Sequence, residues 1–457
     1  MSVLPTSAEK TIDLNGIFSA IDFEGSRSIV VAVSGGSDSL ALLHLLLEYR
    51  KSRPSFPEIV AVTIDHGLRP ESRDEANYVG ELCQKAGISH RILPWHGQKP
   101  DTGLSAKARE IRYKLLCDAA RDAGAGIILT GHTLDDQVET FLMRSDRSVA
   151  DSSERGQAGM ALATLLEREV WLVRPLLNMR REELRDYLRM LGVTWKDDPS
   201  NDSLKYERVR VRKSIQENDL DELQSKIKHK ASKRLNLNAE VTTALPSCVT
   251  VLGGIKAQIN RENWYQQKPE VQELAVGVLL AIMGGQPFLP SATSCRKALK
   301  FIEEAHTHSK LSIGRCIIET RPENTLLYRE MRSIPVLTVE PGMSVIWDGR
   351  YRLTNAGKRS VIIDACGVQG LAELKSRMDN VHGPSAQSSP AIVMNGVRHS
   401  PVFDDHGKLP EGLIIERYVG LFDNILVGYD QLLAQCVATM LKIPAYKRYP
   451  VNQINKN

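Results

Sequence analysis

Ile29 to Ser39 reads Ile-Val-Val-Ala-Val-Ser-Gly-Gly-Ser-Asp-Ser, and a leucine-rich run with helical spacing follows at once, from Leu40 to Tyr49. The apolar run predicts a buried strand, and the glycines and serines predict a turn that opens a helix. Such a junction is a phosphate cradle, because the N–H groups of the first helical turn have no intrahelical acceptor and the helix dipole favours an anion there. Gly35 and Gly36 let the backbone approach a ligand without a side-chain clash, and Ser34, Ser37 and Ser39 offer hydroxyl donors. The run is not G-x-x-x-x-G-K-[ST], so this is no ordinary P-loop, and the absence of G-x-G-x-x-G after a strand weakens a dinucleotide reading.

Working outward, strands and helices alternate through the first two hundred or so residues, which predicts a parallel, doubly wound α/β sheet. Candidate strands are Ile29–Val33, Ile59–Ile64, His90–Leu93, Ile127–Leu129 and Val170–Val173. Candidate helices are Leu40–Tyr49, Arg73–Ala86, Ala106–Ala123, Leu134–Met143 and Arg181–Leu191. Ligands in such folds sit beyond the carboxyl ends of the strands. Three loops are expected to converge there, at Ser34, at Asp65-His66-Gly67 and at Thr130-Gly131-His132. The polar stretch Ser145–Gly159 reads as a loop near the site.

From about Ser214 the pattern changes. Ser214–Val251 and Asn263–Gly285 look helical, short strands take over after about Leu311, and Val345–Leu353 is a hairpin about Asp348-Gly349. Gly383–Pro390 reads as a polar linker and Leu433–Leu441 as a last helix. The expected organisation is a catalytic α/β domain over 1–213, a helical domain over 214–335 and a small α+β C-terminal domain over 336–457.

The chain has 457 residues, 42% hydrophobic and 25% charged, with a net charge of +4. These are the values of a globular protein, and no apolar stretch reaches the ~20 residues that cross a bilayer. No export signal is evident at the N-terminus, so a cytoplasmic protein is expected. The seven cysteines are scattered and contain no C-x-x-C, which argues against a disulfide framework or a zinc or iron–sulfur site. Basic clusters at Arg180-Arg181, Arg208–Lys213 and Lys226–Arg234 suit either solvated helix faces or a phosphate-rich partner.

A second constellation, Gly131-His132-Thr133-Leu134-Asp135-Asp136-Gln137-Val138-Glu139-Thr140, closes a strand and opens a helix. Asp136 and Glu139 share a helical face. They suit a divalent cation or a cationic substrate, although Thr133 and Asp136 would also serve as helix caps. A third piece, Ala106–Tyr113, places Arg109 and Arg112 on one face, where guanidinium forks suit phosphate oxygens.

The Ser-Gly-Gly-Ser-Asp-Ser string resembles the pyrophosphate loop of the N-type ATP pyrophosphatases (the PP-loop superfamily). The order of that loop, Asp65-His66-Gly67-Leu68-Arg69, Ala108-Arg109-x-x-Arg112-Tyr113, Gly131-His132-x-x-Asp135-Asp136-x-x-Glu139-Thr140, Arg174-Pro175-Leu176-Leu177 and Asp197-Asp198-Pro199-Ser200-Asn201 resembles the bacterial tRNA(Ile)-lysidine synthetases over roughly Ile29 to Lys213. Two places depart from that family's pattern. The stretch after the Glu139 helix is extended and polar rather than compact and Arg-Gly-rich, and the usual Arg-Asn-Arg-x-Arg appears as Arg208-Val209-Arg210-Val211-Arg212.

The resemblance implies a ligase. ATP would adenylate O2 of the wobble cytidine in tRNA(Ile) with a CAU anticodon. The ε-amino group of free L-lysine would then displace AMP, forming lysidine and moving codon reading from AUG to AUA. By match to the motifs, Ser34, Gly35, Gly36, Ser37, Asp38, Ser39 and His132 would bind ATP, and Asp38 would help hold Mg2+. Asp38, Arg109 and Arg112 would serve the chemistry, Asp136 and Glu139 would bind lysine, and Arg208, Arg210 and Arg212 would meet tRNA. A membrane partner is not expected, and homodimerisation is left open. The rivals are other PP-loop enzymes, namely a tRNA thiolating enzyme, which needs cysteine at the site, and an amide-forming adenylating ligase.

Overall fold

The computed structural model describes residues 12–67, 72–100, 102–148, 154–196, 207–216, 219–377, 382–402 and 409–452. The chain divides into two compact units. The first holds 1–144, 159–228 and 448–457, and the second holds 145–158 and 229–447.

The first unit alternates as the sequence predicts. Its elements are α1 (Leu14–Phe18), β1 (Ser28–Ala32), α2 (Ser37–Lys51), β2 (Glu58–Asp65), α3 (Ser72–Lys85), β3 (Ser89–Pro94), α4 (Leu104–Ala123), β4 (Ala125–Thr130), α5 (Leu134–Ser148), β5 (Ala163–Leu166), β6 (Val170–Val173), α6 (Arg181–Met190) and α7 (Glu207–Ser214). These strands lie in the order β5-β6-β4-β1-β2-β3. All adjacent pairs are parallel except β5 with β6. β1 is central and fully apolar in its middle. Ile29, Val30 and Val31 are wholly buried, as a parallel strand covered on both faces requires. Val30 packs with Val60, Ile128 and, from α4, Leu116, Ala119 and Ala120. β1 has β2 on one side and β4 on the other, so the strand order reverses at β1, the point beyond whose carboxyl end such sheets hold their ligands.

β5 was not expected from the sequence. It forms a hairpin with β6 closed by the Glu169 N–H on the Leu166 carbonyl at 2.9 Å, with Glu167 and Arg168 at φ of 50° and 61°. Both turn residues are left-handed, a conformation usually announced by Asn or Gly. With neither present, the turn leaves no mark in the sequence.

Helix α8 (Leu220–Cys248) carries the chain into the second unit. Strands appear earlier there than expected, at Val249–Leu252 and Lys256–Asn260. With Lys310–Ile313, Cys316–Thr320 and Asn324–Arg329 they form a five-stranded antiparallel sheet. The apolar helix Pro269–Gly284 contacts it. Two smaller antiparallel sheets follow, of four and three strands, around Trp347, Leu353, Ile363 and Ile392. The hairpin at Asp348-Gly349 forms as expected, with φ of 53° and 67°. Gly383–Pro390 is not a linker. Gly383–Gln387 is a helix whose Ser385 N–H meets His382 Nδ1. Ser388 and Ser389 are buried and donate to the carbonyls of Ser385 and Ala386. The polar composition is consumed by local backbone bonds rather than by water. Leu433–Leu441 lies within the helix Gln431–Leu441. All seven cysteines are buried, and none is in a disulfide.

Candidate active site

The phosphate loop sits between β1 and α2, as its sequence predicts. Gly35 has φ of 85°, which favours glycine over any residue with a Cβ. Ser39 Oγ accepts the Ser34 N–H at 3.1 Å and donates to the Gly36 carbonyl at 3.1 Å. Its hydroxyl therefore shapes the loop, and the exposed Ser34 lies at its mouth. Ser37 Oγ donates to Asp38 Oδ1 at 3.0 Å. Gly131, after β4, approaches closely: a Cβ there would stand 2.7 Å from the Asp38 carbonyl oxygen and 2.9 Å from the Ser39 nitrogen. That glycine brings the second constellation against the first turn of α2.

On α5 the acids do two things at once. Asp136 Oδ2 accepts the Thr133 N–H at 2.9 Å and the Thr133 hydroxyl at 3.1 Å, so it caps the helix. Its other oxygen, Oδ1, faces Arg181 Nη2 at 3.0 Å and Arg208 Nη2 at 2.6 Å. Glu139 is fully buried and accepts from Arg208 Nε at 2.5 Å and Arg212 Nε at 2.6 Å, with Arg181 Nη1 3.7 Å away. Arg181 Nε also donates to Asp38 Oδ2 at 2.9 Å. Three carboxylates, Asp38, Asp136 and Glu139, thus meet three guanidiniums, and the cluster is neutral. Neutral pairing is what makes so much buried charge tolerable.

The electrostatics set the protonation states. Burial raises Asp38 above the usual carboxylate range, and Arg181 offsets only part of that. Burial would also raise Asp136, but Arg208 and Arg181 outweigh it and hold this carboxyl below its ordinary value. Burial, then the charge of Arg174, pushes His132 down, so its ring is neutral, with Nδ1 2.9 Å from the Thr130 hydroxyl. His66 falls to about 4 through burial and the charge of Arg112.

The structure brings Ser34–Ser39, His132, Asp136, Glu139, Arg208 and Arg212 into the first unit's crevice. Arg109 and Arg112 are exposed on α4. Arg109 acts on His132 through its charge, and its guanidinium lies 4.8 Å from the Tyr113 ring centroid. Arg208 and Arg212, expected at an RNA surface, have their guanidiniums on Asp136 and Glu139, while Arg210 is exposed on the same helix. Leu68, Arg69 and the Asp197–Asn201 string lie outside the described residues. Arg181 was missed as a site residue, yet it touches all three acids. A signal existed: a cation in the first turn of a helix opposes the dipole, so an arginine there asks for an acidic partner from elsewhere.

A PP-loop site at the carboxyl edge of a doubly wound sheet defines the class, and residues 8–219 match the PP-loop domain family. Among curated proteins, the tRNA(Ile)-lysidine synthase of Brucella canis is 40% identical over 93% of this chain and 97% of its own length. That of Brucella melitensis biotype 2 shows the same values. The chain belongs to the tRNA(Ile)-lysidine synthase family. A solved U34-tRNA thiolase from Methanococcus maripaludis is 20% identical over 48% of this chain and 76% of its own, at a TM-score of 0.40, too loose an overlap to bear on function.

Proposed function

We propose that this protein adenylates O2 of the wobble cytidine in a CAU-anticodon tRNA(Ile) with ATP and then replaces AMP with the ε-amino group of L-lysine. The observation that carries the reading is that the glycine–serine turn before α2 meets the arginine-paired acids Asp136 and Glu139 through Gly131 and Arg181, in a chain of this family. An amide oxygen is a poor leaving group. Passing through an adenylate divides one hard substitution into two easier ones.

The loop N–H groups and the exposed Ser34 suit the pyrophosphate as charge moves onto it. Asp38 fits a magnesium ion held by one carboxylate and phosphate oxygens. It is partly open to solvent, with 19% side-chain exposure. The ion would neutralise charge on the leaving pyrophosphate. In this reading Arg109 and Arg112 would meet the α-phosphate, and neutral His132 would orient the nucleotide.

Asp136 and Glu139 are the lysine receptors in this reading. Arg208 and Arg212 hold the same oxygens in the structure, and the affinity of these acids for cationic groups supports the reading. Arg208 and Arg212 would exchange that partnership for RNA phosphates, exposed Arg210 would meet RNA beside them, and the wobble base would leave its stack to enter. The thiolation rival gains nothing from seven buried cysteines.

The test is incubation with ATP, Mg2+, labelled lysine and a panel of tRNAs. Label should enter only the CAU-anticodon tRNA(Ile). AMP formation stimulated by another small molecule, with no label in RNA, would overturn the reading in favour of an amide-forming ligase.

A further inference from the structure

Arg181 links parts of the site that the chain's topology leaves separate. Asp38 belongs to α2, on the phosphate side. Asp136 and Glu139 belong to α5, on the lysine side. The Arg181 guanidinium, 14% exposed, spans both: Nε to Asp38 at 2.9 Å, Nη2 to Asp136 at 3.0 Å and Nη1 to Glu139 at 3.7 Å. The position of Arg181 is itself fixed, because its backbone N–H donates to Asp135 Oδ2 at 2.8 Å. The neighbouring Arg180 N–H is closed by Glu183 at 2.9 Å. Arg208 and Arg212 also reach the acids, but they are more exposed, at 44% and 34%, and neither bonds Asp38.

We propose that Arg181 is a positioning residue that holds the acids of the phosphate side and of the lysine side at one fixed separation, so that the amine stands ready when the adenylate forms. The inference rests on the ligase reading above. In that reaction the cytidine O2 attacks the α-phosphorus and pyrophosphate leaves. The lysine nitrogen, having lost a proton to solvent, then attacks ring carbon 2. The carbon–oxygen bond breaks, AMP carries the oxygen away, and the nitrogen sheds a second proton. Water competes for the same adenylate and returns cytidine and AMP without lysine. Which nucleophile wins depends on where the amine is held, and a displacement of about 1 Å can cost a hundredfold.

Removing the fork loosens that separation, so the readout is a partition. AMP released and lysine incorporated are counted in the same reaction, using the full chain with ATP, Mg2+, lysine and CAU-anticodon tRNA. The wild type should give one AMP per lysine. Arg181→Gln should release at least about threefold more AMP than lysine incorporated, and Arg181→Lys, which keeps one charged contact, should fall between them.

A merely structural role would lower both products together and leave the ratio unmoved, and an unchanged ratio in Arg181→Gln overturns the proposal. Should that variant not fold, Arg181→Lys decides: a ratio above that of the wild type supports the inference, and one equal to it refutes it. A wild type that forms no lysine–RNA product would instead sink the ligase reading itself.

Discussion

At the scale of single residues, Asp38 is half-buried and Glu139 wholly buried, both beside arginines, and they should respond differently to mutation. Asp38 is held above its ordinary pKa, so the fold disfavours its charge and removing it should cost little stability. Asp38→Ala is expected to abolish ATP-dependent lysine incorporation while its melting temperature stays close to the wild type. Normal incorporation would refute its role. Glu139 is wholly buried and joined to Arg208 and Arg212. Glu139→Gln leaves Arg212 without its charge partner and Arg208 with Asp136 alone; because both guanidiniums reach solvent, the cost should fall below the about 3–5 kcal/mol of a fully buried pair. Denaturant unfolding should register most of that loss, and an unchanged midpoint would contradict the cluster. The sequence revealed Asp136 and Glu139 through their i, i+3 spacing and Asp38 through the Ser-Gly-Gly-Ser-Asp-Ser turn. It did not reveal their arginine partners, because an ion pair 45 or 72 residues apart in the chain has no local signature. Arg181 was legible only through its unfavourable place at the start of α6.

At the scale of elements, the strand–turn–helix unit of β1 and α2 was readable because buried apolar residues, glycines and a helical leucine pattern agree within twenty or so residues. The loop after β4 was readable as well, but its contact with α2 was not. That contact depends on Gly131 having no side chain. Gly131→Ala would place a methyl 2.7 Å from the Asp38 carbonyl, and backbone there must shift. Lysine incorporation is expected to fall at least about tenfold with an unchanged far-UV circular dichroism spectrum. Near-normal activity would show that the loop tolerates displacement. On α7, exposed Arg210 should meet RNA through its positive charge. Arg210→Gln is expected to weaken tRNA binding and reduce the slope of log affinity against log salt by about 1, without changing the lysine KM. The β5–β6 hairpin and the helix at Gly383–Gln387 escaped the reading for one reason. Their backbones are set by left-handed Glu and Arg residues or by serines bonding inward, and residue type alone does not announce either.

At the scale of the whole molecule, five histidines, His44, His66, His90, His132 and His382, are pushed below their ordinary pKa, each chiefly by burial. Between the unfolded value near 6.5 and the folded values, which reach about 4 for His66 and His382, the unfolded chain binds more protons. Stability is therefore full above about pH 6.5 and is lost as pH falls through that window. Asp38 works in the opposite sense but is a single group. The melting temperature should drop by several degrees between about pH 7.5 and about pH 5, across the upper part of that window, and His66→Gln should flatten the decline. A melting temperature that rises on acidification would contradict this. The α/β class and the site's location were legible at this scale because alternation of strands and helices dictates a crevice at the strand ends. The three sheets of the second unit were less so, since short strands with mixed polarity resemble loops until their partners are known.

The central claim is that AMP is handed to a base oxygen, which then leaves with it. The most direct measurement uses a CAU-anticodon tRNA whose wobble cytidine carries heavy-isotope oxygen at O2, incubated with the enzyme, ATP, Mg2+ and lysine, followed by mass analysis of the products. The heavy oxygen should appear in the phosphate of the released AMP, one atom for each lysine attached. Unlabelled AMP, or heavy oxygen retained in the lysine-bearing base, would contradict the account.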